Sequence, residues 1–246
     1  MRLKNIPKLF VYAQEYLSLS KQLKKNPDFK ITSFRPFLGD KTESGGTISG
    51  HYFHQDLLVA KKIYSNNPVK HVDVASRIDG FVAHVAVFRE IEIFDIRPLE
   101  SKVDNIKFIQ LDLMNVTGNY TEYCDSISCL HAIEHFGLGR YGDPIDANGH
   151  IKGLNSIYDI LKPEGVFYFS TPIGAQRIEF NAHRVFSIKY LLELFKDQYV
   201  LRGFSYVNDA GDLFENISLT DELIEKNCGC SYGCGIFELV KINKSN

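Results

Sequence analysis

Apolar positions recur along this chain in two rhythms. Between residues 6 and 26, Leu9, Phe10, Tyr12, Ala13, Tyr16, Leu17 and Leu19 fall near helical spacing and the run stops at Asn26-Pro27, which predicts a helical lead-in. A loop-like stretch over 36–50 follows, punctuated by Pro36, Gly39, Gly45, Gly46 and Gly50, and then a second helical pattern from about Tyr52 to Tyr64. From Lys70 onward the rhythm changes. Short apolar runs at 71–75, 91–95, 107–111, 126–130, 166–171, 200–206 and 235–241 read as strands, and they alternate with helical patterns near 80–88, 148–161 and 187–196. Leu161-Lys162-Pro163-Glu164-Gly165 reads as a helix exit and a turn into the next strand. The alternation predicts an α/β fold with a Rossmann-like, doubly wound, mostly parallel seven-stranded sheet and an N-terminal helical extension. Residues 1–69 are then a helical lead-in and cap, and residues 70–246 the sheet domain.

The most informative stretch is His71-Val72-Asp73-Val74-Ala75-Ser76-Arg77-Ile78-Asp79-Gly80, followed by Ile91-Glu92-Ile93-Phe94-Asp95. It is a strand, a tight turn, a short helix and a second strand ending in a carboxylate, with Asp73 and Asp95 separated by 22 positions. Nucleotide-binding α/β sheets have this layout: the turn approaches the ligand and the second acid holds ribose hydroxyls. A pyrophosphate cradle needs glycines where this chain has Ala75 and Arg77, so a dinucleotide is poorly served. S-adenosylmethionine, which carries no phosphate and presents an ammonium and a ribose to nearby acids, fits the turn better.

Charge and composition narrow the picture only slightly. A net charge of −2 over 246 residues gives no footprint for nucleic acid, and 44% hydrophobic residues suffice for a sizeable core. Residues 1–41 hold nine basic against three acidic side chains, a net of +6, which suits an anionic partner or a solvated face. No run of 18 apolar residues exists, so no integral membrane segment is expected. Lys8, Gln14 and Glu15 interrupt the N-terminal apolar stretch against a signal peptide, and the expected location is cytoplasmic. Five cysteines argue against a disulfide framework.

The series from about residue 70 to 240 resembles the class I S-adenosylmethionine-dependent methyltransferases. The Asp73–Gly80 turn, Asp95, Leu111-Asp112-Leu113 and the run from Asp125 to His135 carry the resemblance, with Leu161–Thr171 as the usual helix exit and fifth strand. His51-Tyr52-Phe53-His54-Gln55-Asp56, Arg77-Ile78-Asp79-Gly80-Phe81, Asp146-Ala147-Asn148-Gly149-His150 and Phe180-Asn181-Ala182-His183-Arg184 resemble more closely the uncharacterised domain of unknown function 268 family. The resemblance implies that S-adenosyl-L-methionine lies at the carboxyl ends of the strands. Asp73, Ala75 and Gly80 would then shape the turn, Asp95 would take the ribose hydroxyls, Asp112 and Leu113 would lie by the adenine, and Glu134 would face cofactor or substrate. It also implies O-methylation of a sugar, sugar nucleotide or glycan intermediate.

A methyl acceptor with a hydroxyl needs a base, and histidine is suited to that near neutral pH. His135 is the first candidate, followed by His183 and His54, each of which could equally be structural. Arg140 and Tyr141 after the fourth strand, with Arg177, Asn181 and Arg184 after the fifth, are candidate substrate contacts. His131-x-x-Glu134-His135 matches a zinc-peptidase spacing, but that motif needs a helix where a strand precedes it here. Cys228, Cys230 and Cys234 are not paired as zinc ligands usually are, so no metal is expected. The rival reading is a non-catalytic methyltransferase fold that binds a glycan-pathway component, supported by Ala75, Arg77 and Asp79 in place of glycine. A nicotinamide-dependent oxidoreductase is weaker, because its phosphate turn is missing.

Overall fold

The computed structural model describes residues 6–25, 28–43 and 45–243. The chain divides into units of residues 1–47 and 48–246. The first carries helix α1 (Ile6–Leu23), whose Tyr16 ring meets Phe34 edge-on at 5.1 Å. The Asn26-Pro27 stop lies outside the described residues. No helix among the described residues is long and apolar enough to cross a membrane.

The second unit opens with α2 (His51–Asn66), which buries Leu58, Val59, Ala60 and Ile63 along one stripe. Asn67, at φ 40°, turns the chain out of this helix, its N–H donating to Ile63 O at 2.9 Å, and Pro68 prevents continuation. Strand β1 (His71–Val74) follows, then a π-type turn at Ile78–Val82 leading into α3 (Ala83–Ala86). Next come β2 (Ile91–Asp95), β3 (Ile106–Gln110), β4 (Cys124–Leu130) and α4 (Gly149–Ile160). The chain continues through β5 (Leu161–Ile173), β6 (Arg177–Glu179), β7 (His183–Val185), α5 (Ile188–Phe195), β8 (Tyr199–Val207), β9 (Leu213–Phe214), α6 (Asp221–Glu225) and β10 (Gly233–Lys241).

The sheet order is β3-β2-β1-β4-β5-β10-β8-β9, parallel from β3 to β5 and antiparallel where β10 enters between β5 and β8. The seven expected strands are all present, and the two-residue β9 adds an eighth at the edge. Every residue of β1 and β2 is buried, as fully covered parallel strands require. Helices α4 and α5 pack Leu154, Ile157, Ile160, Ile188, Leu191 and Phe195 into one core cluster; α2 and α3 pack into the other with Phe81 and Val85. The Lys-Pro-Glu-Gly turn does not interrupt β5 but forms a bulge within it. Leu161 pairs with Cys124 and Val166 with Ser126, leaving the intervening residues looped out with Glu164 at φ 62°.

His71, at the start of β1, is fully buried between Ser126 Oγ (2.8 Å) and Ser128 Oγ (3.1 Å), and burial holds its imidazole down at about 3. Burial likewise lowers His51 and His150 to about 4, aided by the charges of His131 and Arg184 respectively. These groups stay neutral in the folded chain while their unfolded counterparts, at 6.5, take up protons. Their stabilisation is therefore complete above pH 6.5 and is lost as the pH falls toward 4. Asp73 acts oppositely, because burial raises it from 3.8 to about 6 and the folded chain gains its proton first. His135, also lowered, adds to the loss, while Asp56 and His131, both raised, join Asp73 against it; the large histidine shifts outweigh these and predict a lower urea midpoint at about pH 5 than at about pH 7. An equal or higher midpoint at the acid end would contradict the burial of these histidines.

Candidate active site

The site forms at the carboxyl ends of β1, β2 and β4, where strand order reverses on either side of β1. Buried Asp73 organises the turn from beneath. Its Oδ1 accepts from Ser128 Oγ at 2.6 Å and Ser76 Oγ at 2.7 Å, and Oδ2 accepts from the Ser76 N–H at 2.9 Å. The turn thereby brings Ala75 to φ 54°, a left-handed conformation that costs a side-chain-bearing residue about 1–2 kcal/mol, while its N–H donates to Phe94 O at 2.9 Å. Arg77 and Asp79 lie on the rim of the open space beside the turn. They pair with each other at 3.0 Å with side chains 54% and 77% exposed, and the guanidinium lies over the Tyr52 ring.

Gly80 has φ −124° and ψ −106°, and a Cβ there would come within 2.6 Å of Asp56 Oδ2. Gly80→Ala is expected to destabilise the chain by about 1–3 kcal/mol, read as a lower urea midpoint; an unchanged midpoint would mean that the turn relaxes freely.

Asp95 ends β2, buried. Its Oδ1 accepts from the Arg97 N–H at 2.8 Å and Arg97 Nε at 3.0 Å, and Oδ2 from Arg97 Nη2 at 2.5 Å. The same guanidinium lies 4.6 Å from the Tyr141 ring centre. Asp112, after β3, anchors its own loop by accepting the Met114 N–H at 2.8 Å. Ala75, Asp95, Asp112, Leu113, His135 and Tyr141 line one cavity of about 530 Å³, including its open mouth.

A wider chamber adjoins it, sharing Ala75, Asp95, Arg97, His131, His135 and Tyr141, and adding Tyr52, Glu134, Arg140, His183 and Tyr232. The loop after β4 builds this wall. Close backbone approach fixes it: a Cβ on Gly137 would lie 2.0 Å from Asp146 O, and one on Gly153 would meet Ile133 Cδ1 and Phe136 Cδ2 at 2.6 Å. His135 Nδ1 lies 2.6 Å from Ala182 O and must donate to it, which leaves Nε2, 3.9 Å from Glu134 Oε1, with its lone pair when the ring is neutral. Burial lowers the His135 pKa, opposed by Glu134. His131 Nδ1 bonds Glu134 Oε1 at 2.9 Å, and the His131 ring is stacked by His51 at 5.4 Å and flanked by Tyr52 at 5.2 Å.

The remaining expected residues lie outside both cavities. His54 packs edge-on against Phe53, and Arg177 bonds Glu179, Ala175 O and Ser231 O. Arg184 is buried and donates to Phe136 O at 2.6 Å and Ala147 O at 3.3 Å, clamping the β4 loop from behind. Asn181 sits in the β6–β7 turn beside the lining residues Ala182 and His183. Tyr52, Arg97, His131 and Tyr232 line the site without having been singled out as candidates. His131 was visible within His131-x-x-Glu134-His135, and Tyr52 within the His51–Asp56 run; neither Arg97 nor Tyr232 has a distinguishing sequence signal. Among the described residues, no group of three acidic, histidine or cysteine side chains is spaced to hold a metal ion.

The sequence matches the family described as Caenorhabditis protein of unknown function, DUF268, over residues 69–228, about two thirds of its length. The chain belongs to this family. Curated proteins give no sequence match. Among solved structures, the fold is similar to the Burkholderia thailandensis 1,6-didemethyltoxoflavin-N1-methyltransferase with bound 1,6-didemethyltoxoflavin and S-adenosylhomocysteine, at TM-score 0.55 and 12% identity, covering 77% of this chain and 79% of that one. It is also similar to the N-methyltransferase NodS from Bradyrhizobium japonicum in complex with S-adenosylhomocysteine, at TM-score 0.52 and 10% identity, covering 77% and 86%. A third is an S-adenosylmethionine-dependent methyltransferase from Clostridium acetobutylicum, at TM-score 0.52 and 15% identity, covering 78% and 92%. The DUF268 chain thus has the class I methyltransferase fold.

Proposed function

We propose that this DUF268 protein is an S-adenosylmethionine-dependent methyltransferase acting on a hydroxyl. The observation that carries the reading is His135: its Nδ1–H is tied to Ala182 O, which leaves Nε2 free, and the residue lines both the wider chamber and the cavity that holds Asp95. The residues fit the cofactor. Asp95 would take the ribose hydroxyls in exchange for Arg97, Asp112 and Leu113 would flank the adenine, and the left-handed Ala75 keeps the turn tight against the ligand. S-adenosylmethionine supplies an electrophilic methyl on a sulfonium. His135 Nε2 would take the acceptor hydroxyl's proton as its oxygen receives that methyl, with neutral S-adenosylhomocysteine as the leaving group and a methyl ether as the product.

Arg140 and Tyr141 border the acceptor side. Arg140 donates to Ala182 O at 2.9 Å, and unlike Arg77 and Arg97 it has no carboxylate partner two residues away, which leaves donors for a phosphate or carboxylate on a sugar nucleotide or glycan intermediate. The neighbours crystallised with S-adenosylhomocysteine support the cofactor. The non-catalytic reading draws on the Asp95–Arg97 pair, which closes the ribose carboxylate from within. Incubation with S-adenosylmethionine and a panel of sugars and sugar nucleotides tests the choice. Equimolar S-adenosylhomocysteine and methylated product support transfer; cofactor binding without product from any hydroxyl acceptor would favour the binding protein.

A further inference from the structure

Residues 1–47, the first of the two units, carry nine basic against four acidic side chains, a net of +5, where the whole chain carries −2. The same unit leaves much apolar surface uncovered. Of the five phenylalanines more than half exposed among the described residues, four lie in it: Phe10 (66%), Phe29 (78%), Phe34 (61%) and Phe37 (73%). None of the described side chains from Pro7 to Glu43 is buried.

Charge and apolar surface are interleaved. Lys41 pairs with Glu15, but among the described residues no carboxylate pairs with Lys8, Lys21, Lys24, Lys25, Lys30 or Arg35. Lys24 and Lys30 line one open groove together with Tyr16, Leu23, Phe29 and Ile31. On α1, Phe10, Ala13 and Leu17 lie at helical spacing and are all exposed, and Lys21 continues that face one turn on.

Hydrocarbon beside unpaired ammonium groups selects the partner. A second copy presenting this surface would set lysine against lysine. Single-stranded nucleic acid supplies negative charge, but its bases stack on rings and leave Leu17, Leu23 and Ile31 facing water. An anionic bilayer meets both needs: its acyl region takes the phenylalanines and aliphatic side chains, while its headgroups lie level with the ammonium groups at the ends of the lysine stems. We infer that residues 1–47 form a docking surface for a membrane rich in anionic phospholipid. The contact lies on the membrane, since no helix among the described residues is long and apolar enough to cross it. It is independent of the chemistry at Asp95 and His135.

Flotation of the full chain tests this, with vesicles of phosphatidylcholine alone and of phosphatidylcholine with about one third phosphatidylserine. Binding to the mixed vesicles is expected to be at least about tenfold tighter than to the neutral ones, and about 0.5 M salt should release most of the chain. Lys24→Glu with Lys30→Glu is expected to weaken binding to the mixed vesicles about tenfold or more and to flatten its salt dependence. Phe29→Ser with Phe37→Ser is expected to weaken it about tenfold with the salt dependence kept. All four side chains are exposed, so both variants keep the wild-type urea midpoint. Equal binding to the two vesicles, or no flotation of the wild-type chain with the mixed ones, overturns the inference. In the second case, a dimer lost in the phenylalanine variant identifies a second copy as the occupant, and oligothymidylate binding lost in the lysine variant identifies a nucleic acid.

Discussion

Replacing Asp95 by alanine is expected to lower S-adenosylhomocysteine affinity by about 100-fold or more, close to 3 kcal/mol. Two hydrogen bonds from ribose hydroxyls to a buried carboxylate would be lost together, each contributing about 1.5–3 kcal/mol, and the Arg97 guanidinium would be left without its acceptor beside the cavity. Asp95→Asn keeps one acceptor oxygen and should lose less. Arg97→Ala should move affinity the other way or leave it unchanged, because the ribose then meets an uncontested carboxylate. Calorimetric titration reads all three. An Asp95→Ala chain that binds within a few-fold of wild type would mean the nucleoside does not lie at the end of β2.

Removal of the base should have the second large effect. His135→Asn keeps a side chain able to donate to Ala182 O but lacks the ring lone pair at the Nε2 position, and kcat is expected to fall about 100- to 10,000-fold with cofactor affinity nearly unchanged. The pH profile carries independent information. Because burial lowers the His135 pKa from its ordinary 6.5, the free base persists below that pH, and the rate should stay on its plateau as the pH drops through 6.5. A rate that declines already above pH 6.5, or a variant with normal kcat, would remove His135 from the proton transfer.

Much of the fold was legible because buried parallel strands leave a strong sequence trace. His71–Val74 and Ile91–Asp95 bury every residue, as strands covered on both faces do. The antiparallel entry of β10 between β5 and β8 was not legible, since an apolar run carries no direction. The position of α2 was also hidden: its stripe is readable, but not that it packs beside Phe81 and Val85 on the sheet. The places of Asp95, Asp112 and His135 at the cavity were legible because the first ends a strand and the other two lie within five residues after one. His131 stood in a visible motif, but its place in the wall depends on a left-handed backbone at φ 51° and on a bond to Glu134, neither of which spacing reveals. Arg184 looked like a substrate contact, yet its guanidinium holds the carbonyls of Phe136 and Ala147, which only the packed loop could show.

Methyl transfer requires that the space above Asp95 admit an adenosyl ligand once Arg97 yields. Titration of the intact chain with S-adenosylhomocysteine in a calorimeter measures this without any knowledge of the acceptor. One saturable site per chain with a Kd of about 1–100 μM, lost in Asp95→Ala, is the predicted result. The absence of saturable heat from folded wild-type protein at about 100 μM, with ligand in excess, would contradict it.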